Sequence, residues 1–324
     1  MNDTKKQYTS HDVAFIIPTK DRPEKLKNLL DSLAGQNEIC GRLIVVDGGK
    51  SIKTVVMGFS DSLPVEYYEC YPPGQIRQRN MAISLLDKRT PLVGLLDDDI
   101  VLETNALEKI VNFWNRCEPN TAGVSFNIVN APLEQCSWLK SAFLLGSPEP
   151  GRVLKSGMTS SNCNVSKDVK VQWLCGGATI WRQKILKAFL HREISSRWAI
   201  AEDLIFSYPI GGEYPLYVCA DARVRHEHEI DYVSKIKNRF HGYTQTIWMF
   251  YFVESNQELS RTLFLWTLLV RIIGKLATGI LTLRTAPIEF AVGQVQGSVK
   301  GLSALIRSRD ITTIFDEDTN NNPK

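Results

Sequence analysis

The sequence has few of the features that mark an extracellular or membrane-spanning chain. Its seven cysteines (Cys40, Cys70, Cys117, Cys136, Cys163, Cys175 and Cys219) are scattered, odd in number and without a Cys-x-x-Cys pair. That argues against a disulfide framework or a structural zinc site and fits a reducing compartment. The first residues are polar with no apolar core, so no secretory signal is expected and the sequence points to the cytoplasm. No uncharged apolar run reaches the roughly 20 residues of a spanning helix. The nearest candidate, residues 263–283, contains Arg271 and Lys275. Charge of one sign is also scarce: 38 Lys and Arg against 35 Asp and Glu leave +3, too little to imply a general nucleic-acid binder. Internal repeats are absent, and the polar tail 316–324 is expected to be disordered.

What is present is ordinary globular usage. The 324 residues are 44% hydrophobic and 23% charged, enough to bury a real core in one large domain or two smaller ones. Residues 13–17, 43–46 and 92–96 are short continuous apolar runs, which predict strands buried on both faces of a parallel sheet. Between the first two, Leu26, Leu29, Leu30 and Leu33 recur at helical spacing. Asp21 and Glu24 are spaced as a capping box there, with Pro23 in the first turn. Further helices are predicted over 75–86 and 105–115, and alternating strands and helices predict a doubly wound α/β domain. Later strand-like pieces (123–129, 178–181, 216–218) are separated by irregular stretches, of which 130–171 is the longest. From residue 231 the chain reads as helical. The expected organisation is an α/β catalytic domain over 1–230, a helical C-terminal region over 231–315 and the tail.

Ligands of an open parallel sheet bind outside the carboxyl ends of its strands. Asp47 follows one apolar run and the triplet Asp97-Asp98-Asp99 follows another, so both sit where a ligand would. If the backbone stays extended through the triplet, Asp97 and Asp99 share a face and Asp98 takes the other. Two carboxylates on one face suit a hard divalent cation, whereas three consecutive acids without one repel. At residues 72–80 a Pro-Pro-Gly turn leads into a helix whose free amides, with Arg77 and Arg79, suit a diphosphate. A basic solvated first turn would look the same.

Together these residues resemble family 2 glycosyltransferases of the GT-A fold, an α/β architecture with a mainly parallel central sheet flanked by helices. The matches run in order: Ile17-Pro18-Thr19-Lys20-Asp21-Arg22-Pro23, Val45-Val46-Asp47-Gly48-Gly49, residues 74–80, Leu96-Asp97-Asp98-Asp99, Gly176-Gly177-Ala178, Glu202-Asp203 and Val224-Arg225-His226. The resemblance implies that Thr19, Asp21 and Asp47 hold a nucleotide base and that Arg79 and Asn80 line the nucleotide pocket. It implies that Asp97 contacts the ribose or sugar of the donor, and that Asp99 and His226 ligate Mg2+ or Mn2+. Gly176, Gly177 and Glu202 fall at substrate-binding positions, and Asp203 at that of the catalytic base. The implied activity is inverting transfer from a nucleotide-diphosphate sugar to a saccharide or lipid-linked saccharide acceptor, in cell-surface polysaccharide or glycolipid synthesis. Where many relatives carry Asp-Asp-Gly-Ser this chain has Asp47-Gly48-Gly49-Lys50, which leaves the donor nucleotide open. Two rivals are a sugar nucleotidyltransferase and a catalytically inactive nucleotide- or glycan-binding subunit. The first would carry a glycine-rich, lysine-bearing loop after the first strand, which Pro18-Thr19-Lys20-Asp21 is not.

Arg271 and Lys275 are four residues apart in the apolar stretch 263–283 and would form a narrow basic stripe on an amphipathic helix. Such a helix lies in a membrane interface, on the cytoplasmic face here, or packs on a neighbour; both readings stay open. Gly293, Gly297 and Gly301 recur every fourth residue and permit close helix approach.

Overall fold

The structure is a computed structural model describing residues 7–88, 90–133, 136–194, 200–227 and 235–315. The expectations for the tail 316–324 and for a helix start at 231 lie outside the described residues. The chain forms two compact units. One draws on Met1–Leu133, Ser161–Glu193 and Phe206–His228, the other on Glu134–Ser160, Ile194–Ile205 and Glu229–Lys324.

The first unit is built on a nine-stranded mixed sheet: β1 (Val13–Thr19), β2 (Arg42–Asp47), β3 (Val65–Glu69), β4 (Leu92–Leu96), β5 (Ile100–Leu102), β6 (Gly123–Ile128), β7 (Val169–Val171), β8 (Ala178–Arg182) and β9 (Leu216–His226). The order is β3-β2-β1-β4-β8-β6-β9-β5, with β7 paired to β9. The β3-β2-β1-β4 half is parallel. Beyond β4, β8 joins it and β6 by antiparallel ladders, and β6 pairs parallel with β9. The three apolar runs become β1, β2 and β4, and β1 and β4 are buried at every position. Phe15 pairs in register with Gly94, and its ring occupies the space a β-carbon there would need.

Helices α1 (Pro23–Ala34), α2 (Lys53–Met57), α3 (Gln75–Ser84), α4 (Ala106–Arg116) and α6 (Gln183–Ala188) lie in the same unit. All four leucines of the α1 pattern are buried. The predicted Asp21–Glu24 capping box does not form. Arg22 is the N-cap residue, no side chain caps the helix, and Asp21 sits in the left-handed region at φ 54°. Its carboxylate instead accepts a bond from the Lys50 amide at 2.9 Å.

The second unit holds α5 (Trp138–Ala142), α8 (Lys235–Ser255), α9 (Arg261–Thr282) and α10 (Thr285–Ile306). α10 packs on α8 through Gly293, Gly297 and Gly301, as the spacing predicts, against Arg239, Thr246 and Phe250. Trp248, Phe250, Phe252 and Phe264 are buried in this unit. α7 (Glu202–Glu213) begins in the second unit's share of the chain and ends in the first unit's.

Candidate active site

The acidic triplet stands where β4 ends, but its backbone is not extended. Asp98 and Asp99 form a turn, closed by a bond from the Ile100 amide to the Asp97 carbonyl at 3.2 Å. The turn still separates the acids as alternation predicted. Asp98 faces β1 and α1, accepting from Thr19 Oγ1 at 2.8 Å and Arg22 Nη1 at 3.1 Å. Asp97 and Asp99 join His226, at the end of β9, in a group whose ligand atoms all lie within 4.8 Å of one another. Two carboxylates and an imidazole make an oxygen-rich donor set with one nitrogen, which fits a hard divalent cation.

Each member is held from behind. Arg79, only 1% exposed, donates from Nη2 to Asp97 Oδ1 at 2.7 Å, and Gln75 Nε2 donates to the same oxygen at 2.9 Å. The Asp97 amide donates to the Gly177 carbonyl at 2.9 Å, and a β-carbon at Gly177 would stand 3.0 Å from Asp97 Oδ2. Here glycine gives the carboxylate room. Asp99 Oδ1 is 3.0 Å from His226 Nε2. The backbone of His226 is clamped by Asn130, whose side chain accepts from its amide and donates to its carbonyl, both at 2.9 Å.

Charge balance comes partly from residues that sequence reasoning passed over. Arg22 Nη1 lies 3.6 Å and Lys25 Nζ 4.0 Å from Asp99 Oδ2. Lys25 lies on α1 and Arg22 is its N-cap residue, so the start of the helix brings both cations to the acids, a placement that no spacing in the sequence announces. Burial would lower the Arg22 pKa, but Asp98, Asp99 and Asp97 together raise it. Burial pushes the Asp98 carboxyl up from its ordinary value, against the opposing pull of Thr19 and Arg22. Burial alone would lower His226, yet the hydrogen bond and charge of Asp99, with Asp97, leave it raised.

A second group shapes the neighbouring strand ends. Asp47, at the end of β2, is buried and accepts from the Gly49 amide at 2.8 Å, the Ile52 amide at 3.2 Å and Tyr67 Oη at 2.8 Å. It therefore organises the loop that follows β2. Gln78 Nε2 bridges the carbonyls of Thr19 at 2.8 Å and Val46 at 2.6 Å, tying the end of β1 to β2. Arg77 and Arg79 do not form one basic turn. Arg77 is half-buried and pairs with Glu193 at 3.1 Å, while Arg79 is buried under Asp97. Asn80 Nδ2 donates to the His191 carbonyl at 2.9 Å, and its buried Oδ1 has no hydrogen-bond partner among the described residues. Gly176 and Gly177 form the turn before β8. Glu202 and Asp203 occupy the first turn of α7, in the second unit, after Ala201 in the left-handed region at φ 65°.

Residues 14–190 match the model of a family described as glycosyl transferase family 2. Among solved structures, the chain is similar to residues 1–349 of S. aureus TarS at 15% identity, over 96% of this chain and 92% of that one, with a TM-score of 0.54. It is similar to the mannosyltransferase PcManGT from Pyrobaculum calidifontis, solved with GDP-Man and Mn2+, at 14% identity. There 88% of this chain and 86% of that one are covered, with a TM-score of 0.56. At such identities the likeness concerns the fold. No curated protein matches the chain.

Proposed function

The chain belongs to glycosyl transferase family 2 and has the GT-A fold, and from that premise we propose an inverting transferase that uses a nucleoside-diphosphate sugar. The observation that carries this reading is the convergence of Asp97, Asp99 and His226 beside the carboxyl ends of the parallel strands. That edge is where open α/β sheets bind ligands. The solved complex of PcManGT with GDP-Man and Mn2+ supports the donor class and a divalent cation.

In this reading Asp97, Asp99 and His226 hold Mg2+ or Mn2+, which supplies Lewis-acid stabilisation of the negative charge on the departing diphosphate. Arg79 and Gln75 fix the Asp97 carboxylate, so its position needs no rearrangement when the donor arrives. Thr19, Asp21, Asp47 and Asn80 line the nucleotide pocket, directly or by shaping its loops, and Gly176, Gly177 and Glu202 border the sugar and acceptor. Asp203 is the base. As the acceptor oxygen bonds to the anomeric carbon, its proton passes to the Asp203 carboxylate. The bond to the diphosphate oxygen breaks on the opposite side, which inverts the anomeric centre. Base assistance of this kind contributes typically about 10²–10⁴-fold. The acceptor is a saccharide or lipid-linked saccharide, and the setting is cytoplasmic.

The test is Asp203→Asn, assayed for release of nucleoside diphosphate and for donor binding. Turnover should fall at least about 10²-fold with binding retained. Unchanged turnover would remove Asp203 from the mechanism and favour a nucleotide- or glycan-binding subunit.

A further inference from the structure

The second unit carries an apolar surface that the transfer reaction does not use. On α9, Trp266, Leu269, Ile273 and Ile280 are all exposed, Ile273 at 57% and Ile280 at 66%. Their spacing of three, four and seven residues puts them on one helix face. On α10, Val295, Val299 and Ile306 make a second exposed stripe. Phe143, just after α5, stacks on Trp266 with ring centroids 6.2 Å apart, and Trp138 on α5 is 77% exposed. Exposed apolar patches of this extent mark interaction sites.

Charge selects the occupant. Residues 261–306 hold Arg261, Arg271, Lys275, Arg284 and Lys300 against a single acid, Glu289, a net charge of +4; Arg261 pairs with Glu254 and Arg271 turns inward, which leaves Lys275, Arg284 and Lys300 for the surface. With +3 for the whole chain, the rest of the protein is at −1. Arg284 is exposed and is the N-cap residue of α10, in the turn that follows α9, beside the exposed Leu281 and Leu283. A second copy apposing the same face would bring like charges together, whereas anionic headgroups attract them. Tryptophan settles at a membrane–water interface, and tryptophan, phenylalanine and leucine opposite cations mark helices that lie in it.

The Arg271–Lys275 stripe expected from the sequence is not the basic element. Arg271 turns inward, donating from Nη2 to Gln245 Oε1 of α8 at 2.8 Å, and burial lowers its pKa. Lys275 lies over the Phe290 ring of α10. This also bears on whether α9 lies on a membrane or crosses it. α9 has 22 residues, roughly 33 Å at 1.5 Å each, which is long enough to span. The first half of its opposite face, however, packs on protein through Phe264, Thr267, Leu268 and Arg271. α10 beside it carries Glu289 paired with Arg239, a pair that a span would carry into hydrocarbon.

We propose that the exposed faces of α9 and α10, with the Trp138, Phe143 and Trp266 aromatics, dock the protein flat on an anionic lipid bilayer without crossing it. The inference does not depend on the transferase reading. The test is sedimentation of the full chain with phosphatidylcholine vesicles and with vesicles containing phosphatidylglycerol. The expected result is recovery with the anionic vesicles, several-fold less with the neutral ones, and release as salt rises. Leu269→Glu/Ile273→Glu, both at exposed positions, should abolish recovery while the far-ultraviolet spectrum and melting temperature stay unchanged. Val299→Glu should weaken it from the other helix, and Arg284→Gln should weaken it about fivefold. Equal recovery of the double variant, or none of the wild type, would overturn the proposal. So would a wild-type dimer that the double variant converts to monomer, or protein that resists alkaline carbonate extraction.

Discussion

His191, after α6, stands behind the site as a buried, neutral imidazole. Burial and the charge of Arg79 depress its pKa to about 3, and its ring stacks on Phe206 at 3.7 Å between centroids. Its carbonyl receives Asn80, so it supports the helix that carries Arg79. The folded pKa lies below the unfolded value of about 6.5, so the unfolded chain takes up the proton first. The stabilisation is therefore complete above about pH 6.5 and is lost as pH falls toward 3, at up to about 1.4 kcal/mol per pH unit. His191→Phe should flatten that part of the pH dependence in urea unfolding between pH 7 and pH 5. An unchanged slope would show that His191 does not titrate this way. Arg79 acts beside it as the buried cation that makes an acid at position 97 tolerable.

At the scale of elements, the site depends on how loops at the strand ends touch. Gly49, after β2, approaches Asp21, after β1, so closely that a β-carbon would stand 2.6 Å from the Asp21 carboxylate and 2.7 Å from its backbone nitrogen. The backbone contact leaves no flexible group to move aside, so Gly49→Ala should push the two loops apart. The expected cost is about 1–3 kcal/mol in the urea midpoint, with weakened binding of nucleoside diphosphate. A variant as stable as wild type would show that the loops are not tightly juxtaposed. This contact also explains what the sequence left hidden. β1, β2 and β4 were legible because strands buried on both faces read as unbroken apolar runs. β3, Val-Glu-Tyr-Tyr-Glu, is only half-buried and gives no such run, and β5 and β7 have three residues each, too few for any period. Asp21 had the spacing of a helix cap, but its left-handed backbone and bond to Lys50 turned it toward the β2 loop. Among the site residues, the Asp97–Asp99 pairing was legible from alternation, although a turn rather than an extended strand produces it. Arg22, Lys25, Gln75 and Asn130 were not, because their role arises only when distant segments meet.

For the molecule as a whole, charge and apolar surface divide the labour. In the first unit Arg79, Arg22 and Lys25 surround the acids where the β4 strand ends. In the second, basic residues flank exposed apolar stripes on α9 and α10. The claim that bears the most weight is that Asp97, Asp99 and His226 hold a divalent cation for a nucleoside diphosphate. Its most direct test is the melting temperature of wild type and Asp99→Asn with UDP, GDP and their sugars, each with and without Mn2+. Ligand at 100 times its Kd adds about 2.7 kcal/mol to native stability, a shift of several degrees for a chain of this size. One nucleotide should raise the wild-type melting temperature only when Mn2+ is present, and Asp99→Asn should lose the shift. No shift with any of these ligands, or an equal shift in Asp99→Asn, would contradict that claim.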